Sequence, residues 1–349
     1  MSKNSKIACV VGHFGFGHNL LNGQTVKTKI VTEELERRFP GQIMKIDTHG
    51  GIKSLLKAPF HMLRALKNSN NVLILPAHNG LRVYAPLLTF LRRFFRGRKL
   101  HYLVIGGWLA SFLQSRRGLA KCLKTFDCIY VETRTMKRAL EEMGFDNIEV
   151  MPNCKELTVL SPSELVYTDS EPYKLCTFSR VMKEKGIEDA LCAVKAANEA
   201  LGRTVYQLDI YGQVDQSQTE WFEELQNTFP PYVKYGGLVP FDRSVEVLKD
   251  YFALLFPTRF YTEGIPGTVI DAYAAGVPVI SARWESFSDI LEDGVTGIGY
   301  TFGNADELTA ILKDHSALVE KLNALKENCT EQARRYLPET AIGILLKRL

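Results

Sequence analysis

The chain has 349 residues, 46% apolar and 23% charged, with a formal net charge of +4. That length exceeds one compact core and suits two domains of roughly 100–200 residues, and the balance excludes a disordered, collagenous or disulfide-stapled chain. No run of about 18 uninterrupted apolar residues is present, which excludes a membrane-spanning helix.

Residues 1–6 lead directly into an apolar strand at 7–11, without a signal-peptide core or cleavage pattern. Further strands are predicted at 43–47, 72–76, 102–105, 128–132 and 148–151, with helices between them such as 26–38 and 134–143. Beyond residue 172 the pattern resumes, with strands at 174–178, 206–211, 233–235, 253–257, 277–281 and 297–300. Helices are expected there at 187–200, 218–227, 245–250, 266–275 and 306–326. This alternation predicts an α/β protein of two doubly wound, parallel, Rossmann-like domains facing each other across a cleft. The expected division is a basic first domain over 1–156, a linker at 157–172, a second domain over 173–332 and a helix at 333–349.

The small net charge conceals an asymmetry. Residues 1–155 carry 25 Lys and Arg against 10 Asp and Glu, and the remainder carries 18 against 29. Much of the positive charge lies in two stretches rich in large apolar side chains, 52–67 and 86–99. Such stretches suit contact with an anionic membrane surface; the other reading is a surface helix whose apolar stripe faces its own core. No nucleic-acid-binding motif accompanies the charge. Seven scattered cysteines, with no metal-ligand or redox spacing, suit reduced thiols in a cytoplasmic protein.

The most informative segment is 257–280, which reads as strand, Gly-rich turn, helix and strand. Pro266 suits the first helical turn, where its missing N–H would be unpaired. The amides of Gly267 and Thr268 would then point out of the helix start, where the macrodipole favours an anion. Glu263 precedes the helix and Asp271 lies on its second turn, so two carboxylates flank that anion site. A nucleoside diphosphate sugar has this layout, with hydroxyls on both sides of two phosphates. On a loop after the strand 174–178, Arg180 and Lys185 offer a guanidinium fork and an ammonium suited to a pyrophosphate.

Glu263, seven residues, Asp271, and then Gly276-Val277-Pro278-Val279 resemble the signature of the retaining glycosyltransferases of family 4 (group 1), which have the GT-B fold. Arg180, four residues, Lys185 and Gly186 match the same family's second element. The resemblance implies a retaining transferase moving a sugar from a nucleoside diphosphate sugar to a hydroxyl of a glycan or polyprenyl-linked glycan, in bacterial surface polysaccharide assembly. No motif resembles a metal cage, so no metal is expected, and no cofactor beyond the donor. Arg180, Lys185 and Glu263 would be the catalytic groups, with Glu263 on the donor sugar. Gly264, Ile265, Pro266, Gly267 and Thr268 would line the donor, and Asp271 would take the ribose. Gly15 and Gly17, in the loop Gly12-His13-Phe14-Gly15-Phe16-Gly17-His18, would approach the donor phosphates. His13, His18, His78 and Trp108 are candidates on the acceptor side, and Asn22 to Thr28 resemble the loop-to-helix entry of bacterial members.

Two features depart from the family pattern. Asp271 stands where Glu is usual. The strand ending at Ile105 is followed by Gly106-Gly107-Trp108 rather than by the histidine that many relatives place beside the reacting sugar. These departures leave open a non-catalytic GT-B protein that binds nucleotide and supports another transferase. A nucleotide-sugar epimerase of similar shape would not carry the spacing of Glu263 and Asp271. The expected location is the cytoplasm, or the inner face of the plasma membrane.

Overall fold

The computed structural model describes residues 5–18 and 23–349, without the side chain of Ile52; residues 1–4 and Asn22, used in the sequence reading, lie outside the described residues. Two units are present, Met1–Glu156 with Tyr336–Leu349, and Leu157–Arg335.

The first unit is built on a parallel sheet of β1 (Lys6–Gly12), β2 (Ile43–Asp47), β3 (Ser69–Ile74), β4 (Lys99–Leu103), β5 (Cys128–Val131) and β6 (Ile148–Val150). Their spatial order is β2-β1-β3-β4-β5-β6. Because successive strand residues face opposite sides, β1 feeds two cores. Cys9 and Val11 pack with Met62, Leu66, Leu81 and Leu88, whereas Ala8 and Val10 pack with Val31, Leu35, Ile342 and Leu345. Burial on both faces explains why β1, and β3 from Val72 on, read as nearly continuous apolar runs. The helix Pro338–Leu346 belongs to the second of these layers, beside the helix Gly23–Arg38. Inside this unit Lys27 Nζ lies 2.6 Å from Glu132 Oε1 and 3.2 Å from the Val104 carbonyl oxygen, so a buried ammonium is both paired and hydrogen-bonded.

The second unit contains β7 (Tyr173–Phe178), β8 (Tyr206–Tyr211), β9 (Val233–Gly237), β10 (Ala253–Phe256), β11 (Val279–Ala282) and β12 (Gly297–Tyr300), again all parallel. The order β12-β11-β10-β7-β8-β9 is that of the dinucleotide-binding fold. Its winding reverses between β7 and β10. In the first unit the reversal falls between β1 and β3. In open α/β sheets, ligands bind outside the strand carboxyl ends at these switch points.

Several boundaries differ from expectation. The residues 157–172, expected as a linker, pack within the second unit. Leu160 N–H donates to the Ala274 carbonyl at 2.9 Å, and Asn323 holds Thr168 through two hydrogen bonds. Leu165 lies so close to Gly276 that a Cβ there would come within 2.3 Å of it, which gives the glycine of the Gly-x-Pro element a packing reason. The predicted helix 306–326 is two helices, Ala305–Lys313 and His315–Ala333, because Asp314 leaves helical geometry at ψ 54°. The stretch 52–67 is likewise two helices, Ile52–Leu56 and Ala58–Asn68. Pro86 sits inside the helix His78–Leu91 rather than at a helix start; the chain then tightens into a 3-10 turn at Arg92–Phe94.

Candidate functional site

Arg180, Lys185 and Glu263 all lie on the two loops that leave β7 and β10, the strands flanking the switch point of the second unit. Lys185 Nζ pairs with Glu263 Oε1, and Thr258 Oγ1 lies 3.4 Å from the same oxygen. Both charged side chains are more than four-fifths buried. The Lys185 ammonium also lies 4.9 Å from the Phe260 ring centroid, so a neighbouring π face contributes attraction on one side. Sequence reasoning placed these groups around a common anion but missed that the two opposite charges meet.

Backbone geometry holds Lys185 in place. Gly186 adopts φ +69°, and a Cβ there would stand 1.9 Å from the Pro257 carbonyl oxygen. Only glycine permits this approach of the β7 loop to the end of β10. Arg259 N–H donates to the Glu184 carbonyl at 2.8 Å, while its guanidinium grips Asp189 through two bonds of 2.9 and 2.6 Å. Gln218 ties the other side, accepting from Lys183 N–H at 2.8 Å and donating to Glu184 at 2.9 Å. A second close approach, a Cβ of Gly212 at 1.8 Å from the Ser179 carbonyl oxygen, fixes the start of the loop against the end of β8.

Arg180 is half-exposed, and its Nη1 lies 3.4 Å from Asp215 Oδ2. Asp215 also accepts from Ser217 Oγ at 2.6 Å and from Ser217 N–H at 3.0 Å, and these bonds hold its carboxyl below the ordinary value, with Arg180 adding to the shift. Among the described residues the rest of the guanidinium fork meets no partner. Asp215 and Gln218 carry no recognisable spacing relative to Arg180 and Lys185, so the sequence offered no signal for them.

The helix Gly267–Ala274 begins one residue later than expected, with Pro266 as its N-cap residue. Val269 and Ile270 N–H turn back to the Pro266 carbonyl at 3.1 and 3.4 Å. Among the described residues no acceptor meets the N–H of Gly267 or Thr268. The Thr268 hydroxyl is covered and has no partner, and a Cβ on Gly267 would meet nothing within 4 Å. Two free amides, an orphaned hydroxyl and open space thus coincide at the positive end of a helix dipole. Gly264 and Ile265 are buried beneath this turn, and Asp271, one turn further in, is only 3% exposed.

The glycine loop of the first unit differs from expectation. Gly12 lies opposite Asp47 in the β1–β2 register, which brings that carboxylate under the loop. Phe14 and Gly15 N–H donate to Asp47 Oδ1 at 2.9 and 3.2 Å, and Phe16 N–H donates to Oδ2 at 2.9 Å. The Gly15 amide, assigned to a donor phosphate, is therefore already satisfied by a side chain; a Cβ on Gly17, at φ +82°, would meet none of the described residues within 4 Å. Burial pushes the Asp47 carboxyl up, but four backbone N–H donors, with His49 N–H the fourth, outweigh it and hold the group below its ordinary value. Its stabilising effect is present above the unfolded value of about 3.9 and lost as pH falls through the lower folded value. Asp47→Asn is expected to cost about 1–2 kcal/mol at neutral pH, allowing for water's access to the group. In urea denaturation the deficit should vanish in strong acid; a deficit independent of pH would contradict the account.

His13 and His18 both meet His49, which the sequence reading overlooked. The His13 Nε2 to His49 Nδ1 distance is 3.1 Å, His13 Nδ1 lies 2.7 Å from Thr25 Oγ1, and the His18 and His49 ring centroids are 5.0 Å apart. Burial and the neighbouring His49 lower the His13 value. His78 opens the helix after β3 and stacks on Trp108 at 3.8 Å, with Phe112 edge-on to both rings and the Arg116 guanidinium 4.0 Å from the Phe112 centroid. Trp108 is anchored by its Nε1–H to the Ile105 carbonyl at 2.8 Å. Burial, with Arg116 nearby, lowers the His78 value. The four acceptor-side candidates thus form two clusters, one after β1 and β2 and one after β3 and β4. Among the described residues no group of three or more His, Cys, Asp or Glu is disposed to hold a metal ion.

Comparison with known proteins agrees with this architecture. Residues 172–319 match the family described as "Glycosyl transferases group 1". An uncharacterized 41.2 kDa protein in the cps region of Klebsiella pneumoniae is 26% identical over 190 residues, covering 54% of this chain and 47% of that protein. The amylovoran biosynthesis glycosyltransferase AmsK of Erwinia amylovora is 25% identical over 187 residues, covering 51% and 46% respectively. The matched region therefore spans about half the length of these relatives. The crystal structure of HepE from Anabaena in complex with UDP superposes with a TM-score of 0.73 at 16% identity, covering 99% of this chain and 100% of that one. The fold is GT-B, with two Rossmann-like domains.

Proposed function

We propose that the chain is a retaining glycosyltransferase that moves a sugar from a nucleoside diphosphate sugar to a hydroxyl of a glycan or polyprenyl-linked glycan acceptor, in assembly of a surface polysaccharide. The observation that carries this reading is the junction of the β7 and β10 loops. The Lys185–Glu263 pair is fixed there at the switch point, and the same β10 loop ends in a helix start with two unpaired amides and an orphaned hydroxyl. The group 1 match over 172–319 covers this junction and supports the donor class.

In this reading the diphosphate lies over Gly267 and Thr268. Lys185, with N–H donors beyond the one used by Glu263, and Arg180, with most of its fork unengaged, take the charge that grows on the departing β-phosphate. Glu263, oriented by Lys185 and Thr258, hydrogen-bonds hydroxyls of the donor sugar, and Asp271 takes the ribose. Side-chain and backbone groups supply the charge stabilisation, so the transfer proceeds without a metal. The leaving phosphate serves as the base for the acceptor hydroxyl, which accommodates Gly106-Gly107-Trp108 where many relatives have a histidine. Trp108 and His78 wall the acceptor. The sugar-polymer context of the relatives' names, a cps region and amylovoran biosynthesis, supports the polysaccharide setting. The non-catalytic alternative would bind the same nucleotide, and slow release of nucleotide from the donor in the absence of acceptor separates the two readings: turnover supports the transferase, binding without turnover the scaffold.

A panel of UDP-, GDP-, ADP- and TDP-sugars followed by thermal shift tests the reading. One nucleotide class should raise the melting temperature by several degrees, since a ligand at a hundredfold excess over Kd stabilises by about 2.7 kcal/mol. Arg180→Ala should remove most of that shift without lowering the ligand-free melting temperature, because Arg180 is half-exposed. No shift with any donor, or an undiminished shift in the variant, would count against the assignment.

A further inference from the structure

Between Asp47 and Asp127 the chain contains 14 Lys and Arg and not one Asp or Glu. The helices within this acid-free run share one core layer of the first unit, in which Ala58–Asn68 packs beside His78–Leu91. The inner arc of Ala58–Asn68 is accounted for: Ala58, Met62, Ala65 and Leu66 are buried. Its outer arc is apolar as well. Phe60 is 66% exposed, Leu63 lies one turn on, and Leu56 on the preceding short helix is 78% exposed. At the far end of the neighbouring helix, Phe90 and Phe94 touch edge-to-face at 5.8 Å, and Phe94 is 71% exposed. A helix needs one apolar stripe to join its own core; among the described residues, the second stripe of Leu and Phe is left exposed.

Cations border that stripe. Lys53, Lys57, Arg64 and Lys67 accompany Leu56, Phe60 and Leu63, and Arg93 and Arg96 flank Phe94. Among the described residues none of these six forms an ion pair, whereas Arg92, on the inner side of the same turn, is bound to Asp127. Unpaired ammonium and guanidinium groups beside exposed phenylalanines suit an interface that is anionic at its surface and hydrocarbon just below it. A second copy of the chain would bring like charges together. A nucleic acid would use the cations but leave Leu56 and Leu63 in water.

We propose that this layer docks on an anionic lipid bilayer, with Leu56, Phe60, Leu63, Phe90 and Phe94 entering the headgroup–acyl boundary and the surrounding Lys and Arg meeting lipid phosphates. The proposal does not rest on the transferase reading; its readout is lipid binding, independent of donor or turnover.

Cosedimentation of the full chain with vesicles of phosphatidylcholine alone, and of phosphatidylcholine with phosphatidylglycerol, tests it. Binding to the anionic vesicles should exceed binding to the neutral ones by about tenfold or more, at about fivefold per basic side chain engaged, and should weaken with salt. Phe60→Ser with Phe94→Ser should reduce anionic-vesicle binding by about tenfold or more, as should Arg93→Gln with Arg96→Gln. All four side chains lie outside the cores, so the variants should keep the parent's melting temperature. Absence of binding to anionic vesicles, or binding unaffected by the phenylalanine substitutions, overturns the proposal. So does a dimer in sedimentation velocity that the phenylalanine substitutions dissolve while vesicle binding is absent.

Discussion

Replacing Lys185 with alanine is expected to lower the rate of sugar transfer, or of donor hydrolysis without acceptor, by about 10²–10³-fold. The side chain is not a loosely solvated cation. It is more than four-fifths buried, paired with Glu263 and placed beside Phe260 by a loop that Arg259 and Gln218 hold from two sides. A charge fixed in this way stabilises a developing phosphate charge without first reorganising, which is why its removal falls on turnover more than on folding. Breaking the pair should cost about 1–2 kcal/mol of stability, since water still reaches both groups. Released nucleotide, assayed with the donor class that shifts the melting temperature, measures the effect. Undiminished turnover in the alanine variant would mean that the junction of the β7 and β10 loops is not the reacting site.

The second large effect is expected at Gly186, and its neighbour in conformation supplies the control. Gly186 and Gly202 have nearly the same left-handed backbone, φ +69° and +68°. A Cβ at Gly202 would meet nothing within 4 Å, whereas one at Gly186 would stand 1.9 Å from a backbone carbonyl oxygen. Gly202→Ala should therefore cost only the left-handed strain, about 1–2 kcal/mol. Gly186→Ala adds a collision that neither backbone can avoid without moving the Lys185 loop away from β10. It should cost about 3 kcal/mol or more in urea denaturation and abolish donor-induced stabilisation. Equal losses in the two variants would show that the close approach to Pro257 is not a constraint.

These two residues mark what the sequence makes legible. Lys185, Gly186, Glu263 and the helix start at Gly267 sit in short contiguous segments whose chemistry is local. Strand, turn and helix succeed one another within about ten residues, and the apolar runs identify the strands because parallel strands are buried on both faces. The parallel α/β class and the two-unit organisation follow from the same periodicity. The helix break at Asp314 was less legible, because a single residue's departure from helical geometry leaves the apolar pattern intact on either side.

The remaining features depend on which strands lie side by side, and no local pattern encodes that. Asp47 satisfies the glycine loop because β2 pairs with β1 in a register that sets Gly12 opposite Asp47, 35 positions along the chain. The same neighbourhood brings His49 to His13 and His18. Lys185 meets Glu263 across 78 residues because β7 and β10 are adjacent where the winding reverses. The sequence by itself determined the chemical groups and the elements that carry them. Tertiary structure decided which groups are already paired, which amides remain free and which apolar stripe faces outward, because each of these depends on the neighbours that strand order and helix packing supply.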